Sequence, residues 1–85
     1  MHGFKVAAVN CSNSSIFSDL GHRLLDKHPD SQVAVCYHNR KGKWGYSLRS
    51  RDGEAQKLAE LLGGGGHPNA AGANDAPPPW EVQSE

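Results

Sequence analysis

Four consecutive glycines at residues 63–66 constrain the fold of this chain more than any other feature of its sequence. They follow a helical pattern over residues 54–62, and the sequence then continues as HPNAAG. Because ordering glycines costs backbone entropy, the run predicts a backbone that adopts positive φ angles or closely approaches a ligand. Exposed N–H groups in such a loop bind anions, and His67 can contact the same anion. The run therefore predicts a phosphate-sized site, and the alternative is a helix C-cap followed by a flexible linker.

Length and composition limit the chain to one small domain. Eighty-five residues provide a limited core, and a hydrophobic content of 36% predicts a soluble protein. The N-terminus lacks the apolar segment of a signal peptide, so we expect a cytoplasmic location. Cys11 and Cys36 are too few for a disulfide framework and lack the paired spacing of zinc ligands, so we expect reduced thiols.

Basic residues are concentrated although the formal net charge is zero. One twelve-residue stretch without an acidic residue contains Arg40, Lys41, Lys43, Arg49 and Arg51. A basic stretch near a glycine-rich segment favours an anionic partner. The alternative is a solvated hairpin turn that carries lysine and arginine, which is common on protein surfaces.

Periodicity predicts the element order β-α-β-β-α-β. The first helix ends before Pro29, Gly42 lies in a hairpin turn, Asp52 is a candidate N-cap and Gly63 ends the second helix. This order predicts an α/β fold, a small two-layer domain over residues 1–76 with a mixed sheet and helices packed on it. Three prolines at the start of residues 77–85 predict an extended, flexible tail.

The third predicted strand alternates between apolar and polar residues. Its apolar side is expected to face the core, whereas Ser47 and Arg49 lie on the other side. The planar guanidinium of Arg49 suits a phosphate group, and the alternative is a cross-strand ion pair. Ser50 follows directly. For Asn69, hydrogen bonds that shape the backbone are favoured over ligand contact.

Three segments carry a resemblance to a known family. Residues 63–72 resemble the GGGH-x-x-AAG signature of the first type of DHH-associated domain, which lies C-terminal to the Asp-His-His catalytic domain of DHH-family phosphoesterases. The sequence SLRS at residues 47–50 resembles the S-x-RS strand of that domain, and SDLGH at residues 18–22 resembles its S-x-x-GH helix. In the related domain of alanyl-tRNA synthetases, a different basic pattern follows the glycines.

The resemblance implies a hydrolase that cleaves phosphodiester or phosphoanhydride bonds, with the oligoribonucleases and exopolyphosphatase-related enzymes among its relatives. Family substrates include short oligonucleotides, single-stranded DNA, cyclic dinucleotides and polyphosphate-like compounds. The candidate phosphate-binding residues are Arg49, Ser50, Gly64, Gly65, Gly66, His67 and Asn69.

The chain lacks an Asp-His-His triplet and any acidic cluster for the family's metals. We therefore expect it to bind phosphate without cleaving it, with no catalytic residue and no metal site of its own. A divalent metal, manganese, is implied for the missing N-terminal catalytic domain. Two other interpretations remain open, namely a stand-alone nucleic-acid-binding module and a tRNA-related domain of the alanyl-tRNA synthetase type.

Overall fold

The computed structural model describes residues 1–82, which form one mixed sheet with helices. In chain order the elements are β1 (Val6–Asn10), a 3-10 turn (Ser14–Ile16), α1 (Phe17–Lys27), β2 (Val33–Arg40), β3 (Lys43–Ser50), α2 (Glu54–Leu61), β4 (Gly65–His67), β5 (Ala70–Ala76) and α3 (Pro79–Val82). The sheet order is β1-β2-β3-β5-β4, with β1 and β2 parallel and the other neighbours antiparallel. The α/β class, the mixed sheet and the predicted element order are confirmed, and β4 and α3 are additional.

The two long helices pack on opposite faces of the sheet. On one face, which we call the α1 face, Phe17 of α1 stacks on the ring of His38, and Gly21 lies against Arg49. On the other face α2 joins the main hydrophobic cluster, which includes Val33, Val35, Tyr46, Leu48, Ala55, Leu58, Ala59 and Leu62. The sheet is therefore the middle of three layers, rather than one of the two expected. The reason lies in β2, where residues 33–36 are all buried, so both faces of the strand need a cover.

Most of the predicted element ends agree with the structure. Helix α1 ends at Lys27, and the two-residue turn between β2 and β3 places Lys41 and Gly42 at φ angles of 53° and 82°. Asp52 is not the N-cap of α2, because Gly53 occupies that position with φ 90° and without a side-chain cap. Ile16 belongs to the 3-10 turn before α1 and is 40% exposed.

The segment after β5 contacts the sheet. The hydroxyl of Tyr46 donates to the carbonyl of Pro77 at 2.6 Å, and Trp80 meets Trp44 edge-on with ring centroids 5.6 Å apart. Residues 79–82 form helix α3, which differs from the extended segment that three prolines predict. The flexibility of residues 77–85 stays a prediction, and residues 83–85 lie outside the described residues.

Cysteine state and helix length add two observations on residues 1–82. Cys36 is buried and Cys11 is partly exposed, and both are free thiols. Within this range, no helix combines the length and the apolar character that crossing a bilayer requires.

Candidate phosphate-binding site

Arg49 and His67 lie in one row across three strands. Arg49 of β3 is opposite Ala70 of β5, and Ala70 is opposite His67 of β4. Residues directly opposite each other in a sheet point to the same face, so both side chains flank Ala70 on the α1 face. Two strand spacings separate the Cα atoms of Arg49 and His67 by roughly 10 Å. A basic side chain and an imidazole thus stand on either side of a methyl group.

The next row of the same face has almost no side chains. Ser47 of β3 is opposite Gly72 of β5, which is opposite Gly65 of β4. Helix α1 packs over β1, β2 and β3, and Ala70, Gly72 and Gly65 remain partly exposed. The row therefore forms a shallow floor beside the row of Arg49 and His67, where a ligand can approach the backbone.

The aliphatic part of the Arg49 side chain packs against α1, and one guanidinium nitrogen forms hydrogen bonds. A Cβ on Gly21 would lie 2.6 Å from Cγ of Arg49, so α1 leaves space for this side chain only because residue 21 is glycine. Nη1 donates to Ser47 Oγ at 3.2 Å and to the carbonyl of Leu48 at 2.9 Å. The alternative of a cross-strand ion pair is wrong, because no carboxylate in residues 1–82 makes a salt bridge with Arg49. Its positive charge is therefore not neutralised within the described chain.

The glycine run is ordered and combines a helix cap with a strand. Gly63 has φ 92°, its N–H donates to the carbonyl of Glu60, and the N–H of Gly64 donates to the carbonyl of Ala59 at 2.7 Å. These two bonds are those of a Schellman motif, so the C-cap half of the alternative is confirmed and its linker half is wrong. Residues 65–67 then form β4 at the edge of the sheet. The expected open loop of N–H groups is therefore an edge strand, since Gly64 already donates within the protein.

The glycines of the run differ in what a side chain would meet. A Cβ on Gly64 would overlap the carbonyl oxygen of Gly72, and a Cβ on Gly66 would lie 2.8 Å from Cα of Ala71. Gly66 also has φ 145°. At Gly65, by contrast, φ is not positive and nothing lies within 4 Å of the position that a Cβ would take. The fold thus requires glycine at residues 64 and 66, whereas it gives no reason for glycine at 65.

Ser50 and Asn69 connect the β4–β5 turn to the start of α2. Ser50 is 6% exposed, and its Oγ donates to Asn69 Oδ1 at 2.9 Å and accepts from the N–H of Ala55 at 2.9 Å. Asn69 Oδ1 also accepts from the N–H of Gly53 at 2.7 Å. The Ser50 hydroxyl therefore accepts a hydrogen bond from a backbone N–H in the first turn of α2, a role that the sequence predicts for Asp52. We call this set of bonds the Ser50–Asn69 clasp.

Two residues that position the site are not predicted from the sequence. Gly21 shapes the space for Arg49, and its signal is the glycine of the SDLGH segment, next to the exposed His22. Gln56 donates through Nε2 to the carbonyl of Gly66 at 2.9 Å, and its N–H donates to the carbonyl of Pro68 at 3.2 Å. No pattern in the sequence distinguishes Gln56 from any other polar helix residue.

The described residues do not assemble a donor set for a metal. Within residues 1–82, no three His, Cys, Asp or Glu side chains lie close enough together to hold a metal ion. His67 therefore stands at the edge of the sheet outside any such cluster in this range. The chemistry that Arg49 and His67 offer is electrostatic binding and orientation of an anion.

Comparison with known proteins identifies one family and a similar structure. The model of the DHHA1 domain family matches residues 4–76. A crystal structure of an uncharacterized protein from Helicobacter pylori G27 is similar, with a TM-score of 0.65 and 26% identity over 84% of this chain. This chain spans a fifth (20%) of that protein. A search of curated proteins found no match. Because the family model covers most of the chain and the S-x-RS strand and glycine run meet on one face, this chain belongs to the DHHA1 domain family.

Proposed function

We propose that this chain is the substrate-recognition domain of a DHH-family phosphoesterase, that its DHH-associated domain is of the first type, and that it binds nucleotide phosphate. The observation that carries the proposal is the row in which Arg49 and His67 flank Ala70 on one accessible face. The uncompensated charge of Arg49 supports an anionic ligand, because a partly buried guanidinium is stabilised by bidentate contact with phosphate.

Each candidate residue then has a distinct role. Arg49 and His67 contact the phosphate, and Gly65 allows the ligand to approach the backbone where a methyl group would intrude. Gly64 and Gly66 keep the edge strand in place. Ser50 and Asn69 act as positioning residues, since the clasp already uses the Ser50 hydroxyl and the Asn69 carbonyl oxygen.

The cleavage step belongs to a different domain in this proposal. DHHA1 domains are usually paired with an N-terminal DHH catalytic domain, which would supply a divalent metal, manganese, for hydrolysis of phosphodiester or phosphoanhydride bonds. The present chain would hold short oligonucleotides or related phosphate compounds against that domain. Such positioning lowers the entropic barrier of the reaction without any proton transfer by His67.

The experiment that tests this proposal is an NMR titration with a nucleoside monophosphate. We expect the amide signals of residues 64–67 to shift together with that of Arg49, and to shift less as salt is added, because charges are screened. The Lys57→Ala variant, which changes an exposed residue of α2, serves as a control and should give the same shifts. Shifts spread over the exposed lysines and arginines, with residues 64–67 unchanged, would contradict the proposal.

A further inference from the structure

A cleft opens on the sheet at the turn end of β2 and β3. It has a volume of about 260 Å³, and its lining includes His38, Arg40, Lys43, Asn74 and Asp75. We call it the hairpin cleft. None of these residues belongs to the row of Arg49 and His67, so the two sites share no side chain.

A β-bulge creates the cleft. The pairing of β3 with β5 shifts between Trp44 and Tyr46, so Asn74 and Asp75 together lie opposite Gly45. Asp75 has φ 54°, a left-handed conformation that a non-glycine residue adopts at a cost and that occurs more often at functional sites. The bulge therefore places an amide and a carboxylate opposite Gly45, over which the His38 ring lies.

His38 closes the inner end of the cleft with an unused polar atom. Its ring stacks on Phe17 at 5.3 Å, and Nδ1 is buried without a hydrogen-bond partner among residues 1–82. Burial, and then the charge of Arg40, lower the pKa of His38, so the ring is neutral at pH 7 and can accept as well as donate. Buried polar atoms are rarely unpaired, but Nδ1 has almost no exposed surface, so His38 bounds the cleft without offering Nδ1 to a ligand.

The charges around the cleft favour a ligand with a phosphate and a base. Arg40 and Lys43 bring two cations, and the salt bridge from Lys43 to Asp75 is weak because it spans 3.8 Å between side chains that are 72% and 65% exposed. The carboxylate of Asp75 and the amide of Asn74 can pair with the amino and ring N–H groups of a base, which phosphate alone cannot offer.

The hairpin cleft is aligned with the site of Arg49 and His67. Both lie along β3 and β5, and Gly45 is four residues from Arg49 on β3, roughly 14 Å at the rise of an antiparallel strand. Between them lie Ser47 and Gly72, so no bulky side chain projects from the α1 face along this stretch. An extended strand of nucleotides can follow this path, because the main helix contacts of β5 are with α2, which lies on the opposite face.

We infer that the hairpin cleft is a second nucleotide subsite, which binds a phosphate through Arg40 and Lys43 and a base through Asn74 and Asp75 beside His38. This inference rests on the proposed function, since it places the terminal phosphate of the same single-stranded oligonucleotide at Arg49 and His67. A mononucleotide then occupies the first site alone, and a 5′-phosphorylated di- or trinucleotide occupies both.

Calorimetric titration with a nucleoside monophosphate and with a 5′-phosphorylated trinucleotide tests the inference. The trinucleotide should bind more tightly to the unchanged protein. The Arg40→Ala/Lys43→Ala variant should bind the trinucleotide about tenfold more weakly and the monophosphate equally well, as expected for lost charge-assisted hydrogen bonds. The Lys27→Ala/Lys57→Ala variant removes the same charge from two exposed residues elsewhere and should retain the trinucleotide affinity.

An uncharged variant separates base contact from general electrostatics. Asn74 is exposed, and Asn74→Ala should lower the affinity for the trinucleotide about threefold. The same variant should bind a trinucleotide that is abasic beyond its first residue as tightly as the unchanged protein does. Equal affinities for mono- and trinucleotide, or equal losses in the hairpin and control variants, would overturn the inference while leaving the proposed function intact. Loss of monophosphate binding in the hairpin variant would show a single merged site and would also overturn it. If the unchanged protein binds neither ligand, both proposals fail.

Discussion

Gly65 differs from the other glycines of its run because the protein leaves open space where its side chain would be. We predict that Gly65→Ala leaves the free energy of unfolding within about 0.5 kcal/mol of the original value, as for other unstrained surface changes. The same methyl group would stand on the floor beside Arg49 and His67, so nucleoside monophosphate affinity should fall. Thermal denaturation and calorimetric titration of this variant measure the two effects separately.

Gly64→Ala is the matched control for that change. Its Cβ would meet the backbone of Gly72 and Ala73, which cannot move aside without shifting β5. We expect a loss of stability of about 1–3 kcal/mol, the usual cost of overpacking. Unchanged binding and unchanged stability in Gly65→Ala would remove the argument that a ligand approaches the backbone there.

The elements are predictable where side chains form a pattern, and less so where they do not. The alternation of β3 places Tyr46 and Leu48 in the core, and both are buried. The sequence predicts a loop in place of strand β4, because two of its three residues are glycines and carry no alternation. The three-layer arrangement is not predicted, because a run of four apolar residues in β2 does not reveal which helix covers which face.

The sequence predicts which residues form the site but not the role of each residue. Chemistry and resemblance identify Arg49 and His67, and the structure brings them into one row. The sequence groups Ser50 and Asn69 with them, although the contact between their side chains spans 19 residues of sequence. Such a contact depends on how β3 and the β4–β5 turn meet, which a single sequence does not contain.

The Ser50–Asn69 clasp joins three elements, so its loss should affect stability at the level of the element. We predict that Ser50→Ala lowers the free energy of unfolding by about 1–3 kcal/mol, because the N–H of Ala55 and Oδ1 of Asn69 both lose a buried partner. Urea denaturation measures the change. Ser18→Ala, at an exposed position of α1, should change stability much less. Equal effects in the two variants would mean that the clasp does not hold the turn.

At the scale of the whole molecule, Tyr46 links the core to the segment after β5. Burial, with smaller contributions from Glu81 and Tyr37, raises the pKa of Tyr46 to about 12, against about 10 in an unfolded chain. The folded state therefore holds this proton more tightly, and the associated stability is complete below pH 10 and is lost as pH rises through 12. The loss should be on the order of 3 kcal/mol.

Denaturation of the original protein and of Tyr46→Phe across this pH range measures the effect. The variant loses the hydrogen bond to Pro77 and should be less stable at neutral pH, but its stability should decline less steeply between about pH 10 and 12. The same slope in both proteins would place the ionising group elsewhere.

The central claim is that Arg49 and His67 bind one phosphate on the α1 face. Calorimetric titration of a nucleoside monophosphate into Arg49→Ala, His67→Ala and the control Lys57→Ala, each checked for an unchanged unfolding temperature, tests it most directly. We predict that each of the first two variants binds about tenfold more weakly, as expected for a lost charge-assisted contact, and that the control binds as the original protein does. Full affinity in both site variants, or the same loss in Lys57→Ala, would contradict the account.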